Sequence, residues 1–344
     1  MAFDPMNDHL TLDHPKRDFP TRDHGGNLSD ACARFGGAAA DWLDLSTGIN
    51  PIAYPVSELP VETWARLPDA SAFAATEAAA RVAYGVPDGA HVVAGAGASA
   101  LIGLMPRLGD PGEVAIPGPT YNEHAFAFRA AGWRIAGRPG HRTRAAVIVN
   151  PNNPDGRRWT VDELMMMAEA VPLLVVDESF IDLTPEHSLC PYMDGGEGAR
   201  EGLVVLRSFG KFYGLAGVRL GFAVTGADTA RRLREMLGPW AVSGPALALG
   251  ARALGDDDWA EATRIRIAAD AARLVALGRA AGWRLVGEAG LFATFETADA
   301  AAEQNRLAGA RIWSRVFSHS PQWLRLGLPA GEASWQRLCA VLEA

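Results

Sequence analysis

The amino-acid sequence predicts an α/β fold, in which a mostly parallel sheet lies between helices and is joined to a smaller α/β unit. Before about residue 244, short and wholly apolar runs alternate with amphipathic stretches. This pattern is typical of parallel strands that are covered on both faces. After Gly244-Pro245 it changes to long helices rich in Ala and Arg, followed by apolar strands. We therefore expect an N-terminal arm with part of the smaller domain (1–50), a large domain (51–244) and a small C-terminal domain (245–344).

Each element is predicted from its local pattern, beginning at the N-terminus. Residues 1–23 are rich in His, Asp and Pro and are predicted to form an irregular arm. A helix is predicted at 28–37, with Ser29 as its N-cap. The Ala-rich stretch at 71–84 predicts a second helix, which should stop at Gly85 because glycine favours helix ends.

Five apolar runs are predicted to form the larger sheet, because each has the length of a strand and is bounded by turn-forming residues. They cover residues 91–94, 113–116, 145–149, 173–176 and 203–206. Helices are expected at 100–108, within 119–132, at 161–170 and across 246–281. A short strand at 43–45 and three strands of the smaller unit, at 283–286, 292–295 and 323–326, complete the prediction.

The composition predicts a soluble globular protein. The chain of 344 residues has a net charge of −8 and no Lys/Arg-rich run, which disfavours nucleic acid as a partner. No stretch has the roughly 20 apolar residues of a membrane-spanning helix, and the polar N-terminus does not resemble a signal peptide. Cys32, Cys190 and Cys339 are widely spaced and odd in number, as expected of reduced thiols rather than a disulfide framework or a zinc site. We therefore expect a cytoplasmic protein without a bound metal.

Lys211 is unusual because arginine supplies nearly all the other positive charge. Of the 32 basic residues, only Lys16 and Lys211 are lysines. A guanidinium stays protonated and is a poor nucleophile toward carbonyl groups, whereas a lysine amine can lose its proton and form a Schiff base. Lys211 is therefore a candidate for a lysine that carries a cofactor. The alternative is a surface lysine in a loop.

Polar and glycine residues follow four of the predicted strands, at the edge of the sheet where ligands bind in open α/β folds. These segments are Gly95–Ser99, Asn150–Pro154, Asp177-Glu178 and Ser208–Lys211. A ligand that contacts all four would need an anion, a ring hydroxyl, a basic ring nitrogen and an aldehyde. Pyridoxal phosphate has these four groups, and the pattern therefore favours it as the cofactor.

Each of these segments also has a simpler interpretation. Gly95–Ser99 offers free backbone N–H groups that suit a phosphate, but it could be a tight turn. Asp177 could pair with a protonated pyridine nitrogen or end a strand in solvent. The two prolines of Asn150–Pro154 fix a turn that aims an Asn amide into the cleft. Tyr121 could stack on a flat ring or pack in the core. No single segment decides between these readings.

Four segments, taken in order, resemble the motifs of one family. They are PGPTY (117–121), NPNNPDG (150–156), VVDES (175–179) and SFGKFYGLAGVRLG (208–221). In order and spacing they are similar to those of the fold-type I pyridoxal-phosphate enzymes, the aspartate aminotransferase superfamily. The resemblance is closest to the histidinol-phosphate aminotransferase branch and covers residues 24–330. It implies the fold-type I architecture and pyridoxal 5'-phosphate as the cofactor.

The resemblance implies a role for each matching residue. Lys211 would form the Schiff base, Asp177 would pair with the pyridine nitrogen, and Tyr121 would stack on the ring. These three are the expected catalytic residues. Asn153 would hold the ring hydroxyl. The cofactor phosphate would be held by Ala98, Ser99, Ser208 and Arg219. Arg325 falls where this family clamps the substrate α-carboxylate, a task that suits a bidentate guanidinium.

Two features narrow the resemblance to the threonine-phosphate decarboxylases of cobalamin biosynthesis. The chain has the sequence HGGN at 24–27, which the aminotransferases of this branch lack. It also has Phe180 where those aminotransferases carry a Tyr that hydrogen-bonds the ring oxygen. The resemblance implies decarboxylation of O-phospho-L-threonine, a substrate with two anionic groups, to (R)-1-amino-2-propanol phosphate. The residues implied to contact the substrate are His24, Gly25, Asn50, Asn153, Arg315 and Arg325.

The chain departs from the family pattern at two positions. Leu67 stands where the family commonly has a Tyr that reaches the cofactor phosphate of the neighbouring subunit. Gly210 precedes the lysine where a hydroxyl residue is usual. Both changes remove contacts to the cofactor phosphate. The resemblance nevertheless implies a homodimer with shared active sites.

Other functions are alternatives to decarboxylation. The first is an aminotransferase that acts on histidinol phosphate or a related phosphorylated amine. The second is a pyridoxal-phosphate sensor, which would usually carry a basic DNA-binding module for which this acidic chain has no room. A nucleotide-binding oxidoreductase is disfavoured, because Gly95–Ser99 lacks a third glycine and an acidic residue at the expected distance.

Overall fold

The computed structural model describes residues 24–56, 58–194 and 200–343, so the predicted arm at 1–23 lies outside the described residues. The helices are α1 (Leu28–Phe35), α2 (Val61–Ala65), α3 (Ala70–Ala83), α4 (Ala98–Leu104), α5 (Asn122–Ala130), α6 (Val161–Ala170), α7 (Phe209–Phe212), α8 (Ala227–Leu237), α9 (Gly244–Leu254), α10 (Asp257–Ala280), α11 (Ala300–Gly309) and α12 (Gly331–Leu342). The strands are β1 (Leu43–Asp44), β2 (His91–Gly95), β3 (Glu113–Ala115), β4 (Arg134–Ala136), β5 (Thr143–Val149), β6 (Leu173–Asp177), β7 (Leu203–Ser208), β8 (Gly221–Thr225), β9 (Arg284–Glu288), β10 (Phe292–Glu296), β11 (Ile312–Trp313), β12 (Arg315–Phe317) and β13 (Ser320–Gly327).

A seven-stranded sheet forms the larger part of the fold, in the order β2-β8-β7-β6-β5-β3-β4. Its pairs are parallel, except that β8 runs antiparallel to both β2 and β7. Along the central strand β6, Leu174 and Val176 belong to one buried cluster, and Leu173 and Val175 belong to another. Both faces of the sheet are therefore covered, as the wholly apolar strands predict. The predicted α/β architecture is confirmed.

The sequence does not predict four of the strands that the structure describes. β4 and β12 contain only three residues each and β11 contains two, too few to show an alternating pattern. β8 begins with a glycine and directly follows the glycine-rich run after Lys211. The sequence therefore does not mark where the lysine segment ends and β8 begins, and β8 was not predicted as a separate strand.

One detail of the predicted helices is wrong, and another is sharpened. Asn27, rather than Ser29, caps α1, and its Oδ1 accepts a hydrogen bond from the Asp30 amide at 3.3 Å. The helices predicted across 246–281 are two, α9 and α10, and the break between them falls at Gly255 and Asp256. Asp256 then caps α10 by accepting from the Trp259 amide at 3.0 Å, the usual task of an Asp at this position.

A second, four-stranded sheet is antiparallel and has the order β12-β13-β10-β9. The short strand β1 pairs in parallel with β11, through Leu43 and Ile312, so the N-terminal part of the described chain joins the C-terminal part. The predicted domain boundaries themselves stay a prediction. Within the described ranges, no helix has the length and apolar character needed to cross a membrane.

The larger sheet gathers the four polar segments at one edge. β2, β5, β6 and β7 run in the same direction, because β2 and β7 are both antiparallel to the strand between them. Their carboxyl ends therefore meet at the same side of the molecule, where ligands bind in sheets of this kind.

Candidate active site

Two adjoining cavities lie at this edge. The smaller cavity has a volume of about 100 Å³ and the larger about 640 Å³. Both are lined by Tyr121, Asn153, Phe180 and Lys211. The smaller cavity is lined by all eight residues predicted to bind the cofactor, which are Ala98, Ser99, Tyr121, Asn153, Asp177, Ser208, Lys211 and Arg219. The larger cavity is lined by five of the six predicted substrate residues, which are His24, Gly25, Asn153, Arg315 and Arg325.

Lys211 lies in the short helix α7, which follows directly from β7. The residue keeps some exposed surface, but its amine lies among protein atoms, with Nζ 5.6 Å from the centre of the Phe180 ring. Burial, together with the positive charges of Arg325 and Arg219, lowers the pKa of Lys211 to about 8, and Asp177 offsets part of this effect. Near neutral pH the amine can therefore exist in both its neutral and its charged form.

Asp177 is the last residue of β6 and is almost fully buried. Its Oδ2 lies 2.8 Å from Nε2 of His124, and its Oδ1 accepts hydrogen bonds from the Ser179 amide and hydroxyl. Burial alone would raise the pKa of Asp177, but the hydrogen bonds from His124 and Ser179 outweigh it and hold the pKa below its usual value. The carboxylate therefore stays charged inside the protein, as a partner for a protonated ring nitrogen must.

Tyr121 caps the start of α5 and lies between the two cavities. Burial and the nearby charge of Asp177 raise the pKa of Tyr121 to about 12. Its hydroxyl shares a hydrogen bond with the side chain of Ser99. The phenol therefore stays neutral and presents a flat, apolar ring beside the strand ends, which suits stacking on an aromatic ligand.

The turn after Lys211 brings Arg219 to the smaller cavity. Arg219 adopts the left-handed conformation, with φ of 57°, which residues other than glycine rarely do. Its guanidinium donates to the Ala216 carbonyl at 3.3 Å. Gly210 packs tightly against the same turn, since a Cβ there would lie 2.6 Å from Cα of Ala216. The absence of a hydroxyl residue before the lysine is thus matched to the local packing.

Arg325 and Arg315 are cross-strand neighbours on β13 and β12. Arg325 is buried, and its two terminal nitrogens donate to Oδ1 of Asn153 and, at 2.7 Å, to the Ser46 carbonyl. Its Nε has no hydrogen-bond partner among the described residues. Burial and the charge of Arg315 lower the pKa of Arg325 to about 9. A bound anion could accept a hydrogen bond from Nε and would offset the repulsion between the two guanidinium groups. This pair therefore suits a carboxylate.

The HGGN segment reaches the larger cavity from the N-terminal side. Nε2 of His24 lies 3.0 Å from Oε1 of Glu123, and the His24 and Tyr121 ring centres are 6.1 Å apart. The Gly26 amide donates to Oγ of Ser46 at 2.7 Å. Because the Ser46 carbonyl also accepts from Arg325, one buried residue touches both the N-terminal segment and the arginine pair.

Asn50 is the one predicted site residue that lines neither cavity. Its side-chain amide donates to the Phe212 carbonyl at 2.8 Å, and its Oδ1 accepts from Arg266 at 2.7 Å. Its backbone amide donates to the Lys211 carbonyl at 2.9 Å. The structure therefore places Asn50 behind the lysine segment, where its side chain is already hydrogen-bonded, rather than among the cavity residues.

The structure adds residues that the sequence did not single out. His124 and Ser179 hold Asp177, and Ser46 joins the two ends of the larger cavity. Ser179 follows Asp177 by two residues, the spacing of a local side-chain-to-backbone turn, so this contact could have been found. The contacts of His124 and Ser46 span long stretches of sequence, and no local signal announces them.

The smaller cavity fits pyridoxal phosphate chemically. It offers a low-pKa amine at Lys211 for the aldehyde and a buried carboxylate at Asp177 for the ring nitrogen. Nδ1 of His124 is buried without a hydrogen-bond partner among the described residues. Nε2 of His124 and the hydroxyl of Ser179 hold the Asp177 carboxylate, which also lines the cavity. A cationic ring nitrogen would complete that arrangement.

Three comparisons with known proteins agree with this chemistry. The model of the family described as aminotransferase class I and II matches residues 62–342. Two proteins named threonine-phosphate decarboxylase, from Sinorhizobium sp and Pseudomonas aeruginosa, are each 40% identical to the chain, over 93% of it and 97% of their own length.

A solved structure shows the same fold at lower identity. The L-threonine-O-3-phosphate decarboxylase from Porphyromonas gingivalis superposes with a TM-score of 0.73 at 20% identity, over 88% of this chain and 98% of that one. The likeness confirms the predicted fold-type I architecture. Since the family model and the two relatives cover most of the sequence, the chain belongs to the aminotransferase class I and II family of pyridoxal-phosphate enzymes.

Proposed function

We propose that this protein is a pyridoxal-phosphate-dependent carboxy-lyase that decarboxylates O-phospho-L-threonine to (R)-1-amino-2-propanol phosphate, in cobalamin biosynthesis. One observation carries the proposal: Lys211 lines both the smaller cavity, with its predicted cofactor residues, and the larger cavity, which is lined by arginines. In the larger cavity, Arg315 and Arg325 would hold a carboxylate and the HGGN segment would hold a phosphate. Two relatives of the same name, similar along nearly their whole length, support this choice of substrate.

When bound, pyridoxal phosphate supplies an aldehyde that condenses with amines and a ring that withdraws electrons from the substrate Cα. The chain supplies the groups that would hold it. Asp177 would keep the ring nitrogen protonated, because its own pKa is low enough for it to stay an anion. Asn153 would hold the ring hydroxyl and Tyr121 the ring face. The phosphate would be held by Ala98, Ser99, Ser208 and Arg219.

Lys211 moves the proton in this proposal. Its pKa of about 8 lies near the pH at which the enzyme would work, which favours efficient proton transfer in both directions. When the bond between Cα and the carboxylate breaks, carbon dioxide leaves, and the Lys211 ammonium donates the proton that replaces it at Cα. The nearby Phe180 ring has no hydroxyl that could compete for this proton.

Which bond breaks depends on how the substrate is held, and Arg325 would fix its carboxylate while the groups around its phosphate set the direction of that carboxylate. Decarboxylation requires that the bond to the carboxylate stand perpendicular to the cofactor ring, whereas transamination requires this of the Cα–H bond. Asn153 and the Ser46 carbonyl hold the guanidinium in one orientation. Selectivity is thus a positioning effect of a clamped arginine.

The proposal is tested by incubating the holoenzyme with O-phospho-L-threonine, with and without 2-oxoglutarate, and measuring carbon dioxide and the amine product. We expect carbon dioxide release that does not depend on the 2-oxo acid. A Lys211→Ala variant should lose more than about a hundredfold in rate, as expected when a general acid–base group is removed. Amino transfer to 2-oxoglutarate without carbon dioxide would instead identify an aminotransferase.

We also propose that the protein is a cytoplasmic homodimer. Five large apolar side chains are exposed within a short stretch of the chain, namely Ile52, Val56, Val61, Trp64 and Leu67. Apolar side chains clustered in this way are typical of a surface that is covered by a partner. A second copy of the chain is the partner that the family resemblance implies.

A further inference from the structure

His24 and Glu123 form a hydrogen-bonded pair at the wall of the larger cavity, with 3.0 Å between Nε2 and Oε1. The His24 side chain is 41% exposed and lines the cavity, whereas the Glu123 side chain is 17% exposed and is not among the lining residues. The carboxylate therefore lies behind the imidazole, on the side away from the cavity.

Both members of the pair are fixed by the residues next to them. Glu123 lies in the first turn of α5, beside His124, which is anchored to buried Asp177. His24 precedes Gly25, which packs so closely on Ser46 that a Cβ would lie 2.2 Å from the Ser46 carbonyl oxygen. The pair therefore joins the N-terminal segment to the helix that also carries Tyr121.

We infer that Glu123 is a positioning residue that holds the His24 ring through Nε2, so that Nδ1 is directed to the phosphate of the substrate. This inference rests on the proposed function. Since Nε2 faces Glu123, Nδ1 is the nitrogen through which His24 can meet a ligand. A protonated ring nitrogen donates a hydrogen bond, and a phosphate oxygen accepts one. Because Glu123 holds the ring through Nε2, it also fixes the direction in which Nδ1 points.

The opposite role, in which Glu123 competes with the phosphate for His24, fits the placement less well. A competitor would have to lie where the phosphate binds, but Glu123 is set back from the cavity. His24 and Arg325 are separate groups of the larger cavity, since Arg325 is held by Asn153 and Ser46 and not by His24. A substrate with two anionic ends would thus meet two distinct sites.

The test compares Glu123→Gln with a matched control, Glu186→Gln. Glu186 also lies beside a histidine, with 3.6 Å between Glu186 Oε1 and His187 Nε2, but both side chains are largely exposed and line neither cavity. Affinity for O-phospho-L-threonine and for L-threonine is measured by calorimetry on holoenzyme reduced with borohydride, which binds ligand without turnover.

We expect Glu123→Gln to weaken O-phospho-L-threonine binding about tenfold, the effect of losing support for one charge-assisted hydrogen bond. The affinity of Glu123→Gln for L-threonine should not change. The affinity of Glu186→Gln should not change for either ligand. In turnover the variant should raise KM and leave kcat nearly unaltered. His24→Gln should weaken phosphate binding similarly, and adding Glu123→Gln to it should cost little more, because the two residues act as one unit.

Two outcomes would overturn the inference. One is equal affinity of Glu123→Gln and Glu186→Gln for the phosphorylated ligand, with both melting like the parent protein. The other is tighter binding by Glu123→Gln, which would make Glu123 a competitor. If the parent holoenzyme releases no carbon dioxide, the proposed function fails, but the calorimetric comparison still decides the role of Glu123.

Discussion

At the scale of single residues, the site concentrates positive charge around one amine. Arg325 and Arg219 lie close enough to Lys211 that their positive charges help to lower the lysine pKa. Asp177 is the nearby anion, and it is already held by His124 and Ser179. The positive charges around Lys211 therefore exceed the negative charge that the protein places beside them. This excess is expected of a site that binds anionic ligands rather than of a stabilising core.

The lowered pKa of Lys211 predicts how the apo-protein captures its cofactor. The amine attacks an aldehyde only when it is neutral, and the neutral fraction rises as the pH passes through about 8. The rate of cofactor capture, followed by absorbance, should therefore rise with pH to a plateau, with its midpoint near that value.

Variants identify the cause of that midpoint. Arg325→Gln should move it upward, because the variant removes a charge that lowers the lysine pKa. Arg144→Gln, at an exposed ion pair with Asp110, should leave it unchanged. A midpoint at the value of an ordinary lysine, about 10.4, would contradict the assignment of Lys211 as a buried, low-pKa amine.

Which site residues could be predicted depends on how local their signals are. Lys211, Asp177 and Asn153 lie in motifs whose chemistry is readable from neighbouring residues. His124 could not be predicted, because it has meaning only through a contact with a strand end 53 positions away. Asn50 is the opposite case, because it lies beside a recognisable motif but does not line the site. Its side chain is directed to Phe212 and Arg266.

At the scale of elements, the turn that follows Lys211 determines which substitutions near the lysine the site can accommodate. Residues 209–219 pass from α7 through a tight turn to left-handed Arg219. Gly210 is packed against Cα of Ala216 in this turn. The lysine and the arginine thus depend on one compact segment, and a change in its interior should disturb both.

Restoring the hydroxyl that the family usually has at position 210 should therefore harm this protein. Gly210→Ser would place Cβ 2.6 Å from Cα of Ala216, and overpacking of this kind typically costs about 1–3 kcal/mol. We expect a lower Tm and weaker cofactor binding. Gly217→Ser is the matched control, since nothing lies within 4 Å of a Cβ there. A Gly210→Ser variant that binds the cofactor more tightly would contradict this account.

Most elements of the sheet could be predicted because burial on both faces leaves an apolar run with clear ends. β5, β6 and β7 are such runs. β4 and β12 owe their conformation to pairing with a neighbouring strand and not to a pattern of their own. Pairing partners are a property of the assembled sheet, and a single sequence does not reveal them.

At the scale of the whole molecule, the exposed apolar stretch at 52–67 predicts the oligomeric state. We expect the holoenzyme to have twice the 36.5 kDa mass of the chain by light scattering. Trp64→Glu should reduce the measured mass toward that of one chain, because it places a charge on a side chain that is 68% exposed here. Ile265→Glu, at an equally exposed position on α10, should remain dimeric. A parent protein with the mass of one chain would exclude the homodimer.

The pairing of β1 with β11 also has a consequence for the order in which the protein matures during synthesis. Every residue that lines the smaller cavity has been translated by residue 220. Leu43, by contrast, acquires its strand partner only when Ile312 has emerged, and Ser46 acquires its contact with Arg325 later still. A nascent chain can therefore hold the complete set of cofactor groups while β1 and Ser46 still lack their partners in the C-terminal part of the chain. The segment that contains β1 and Ser46 is thus synthesised early but acquires its final contacts last.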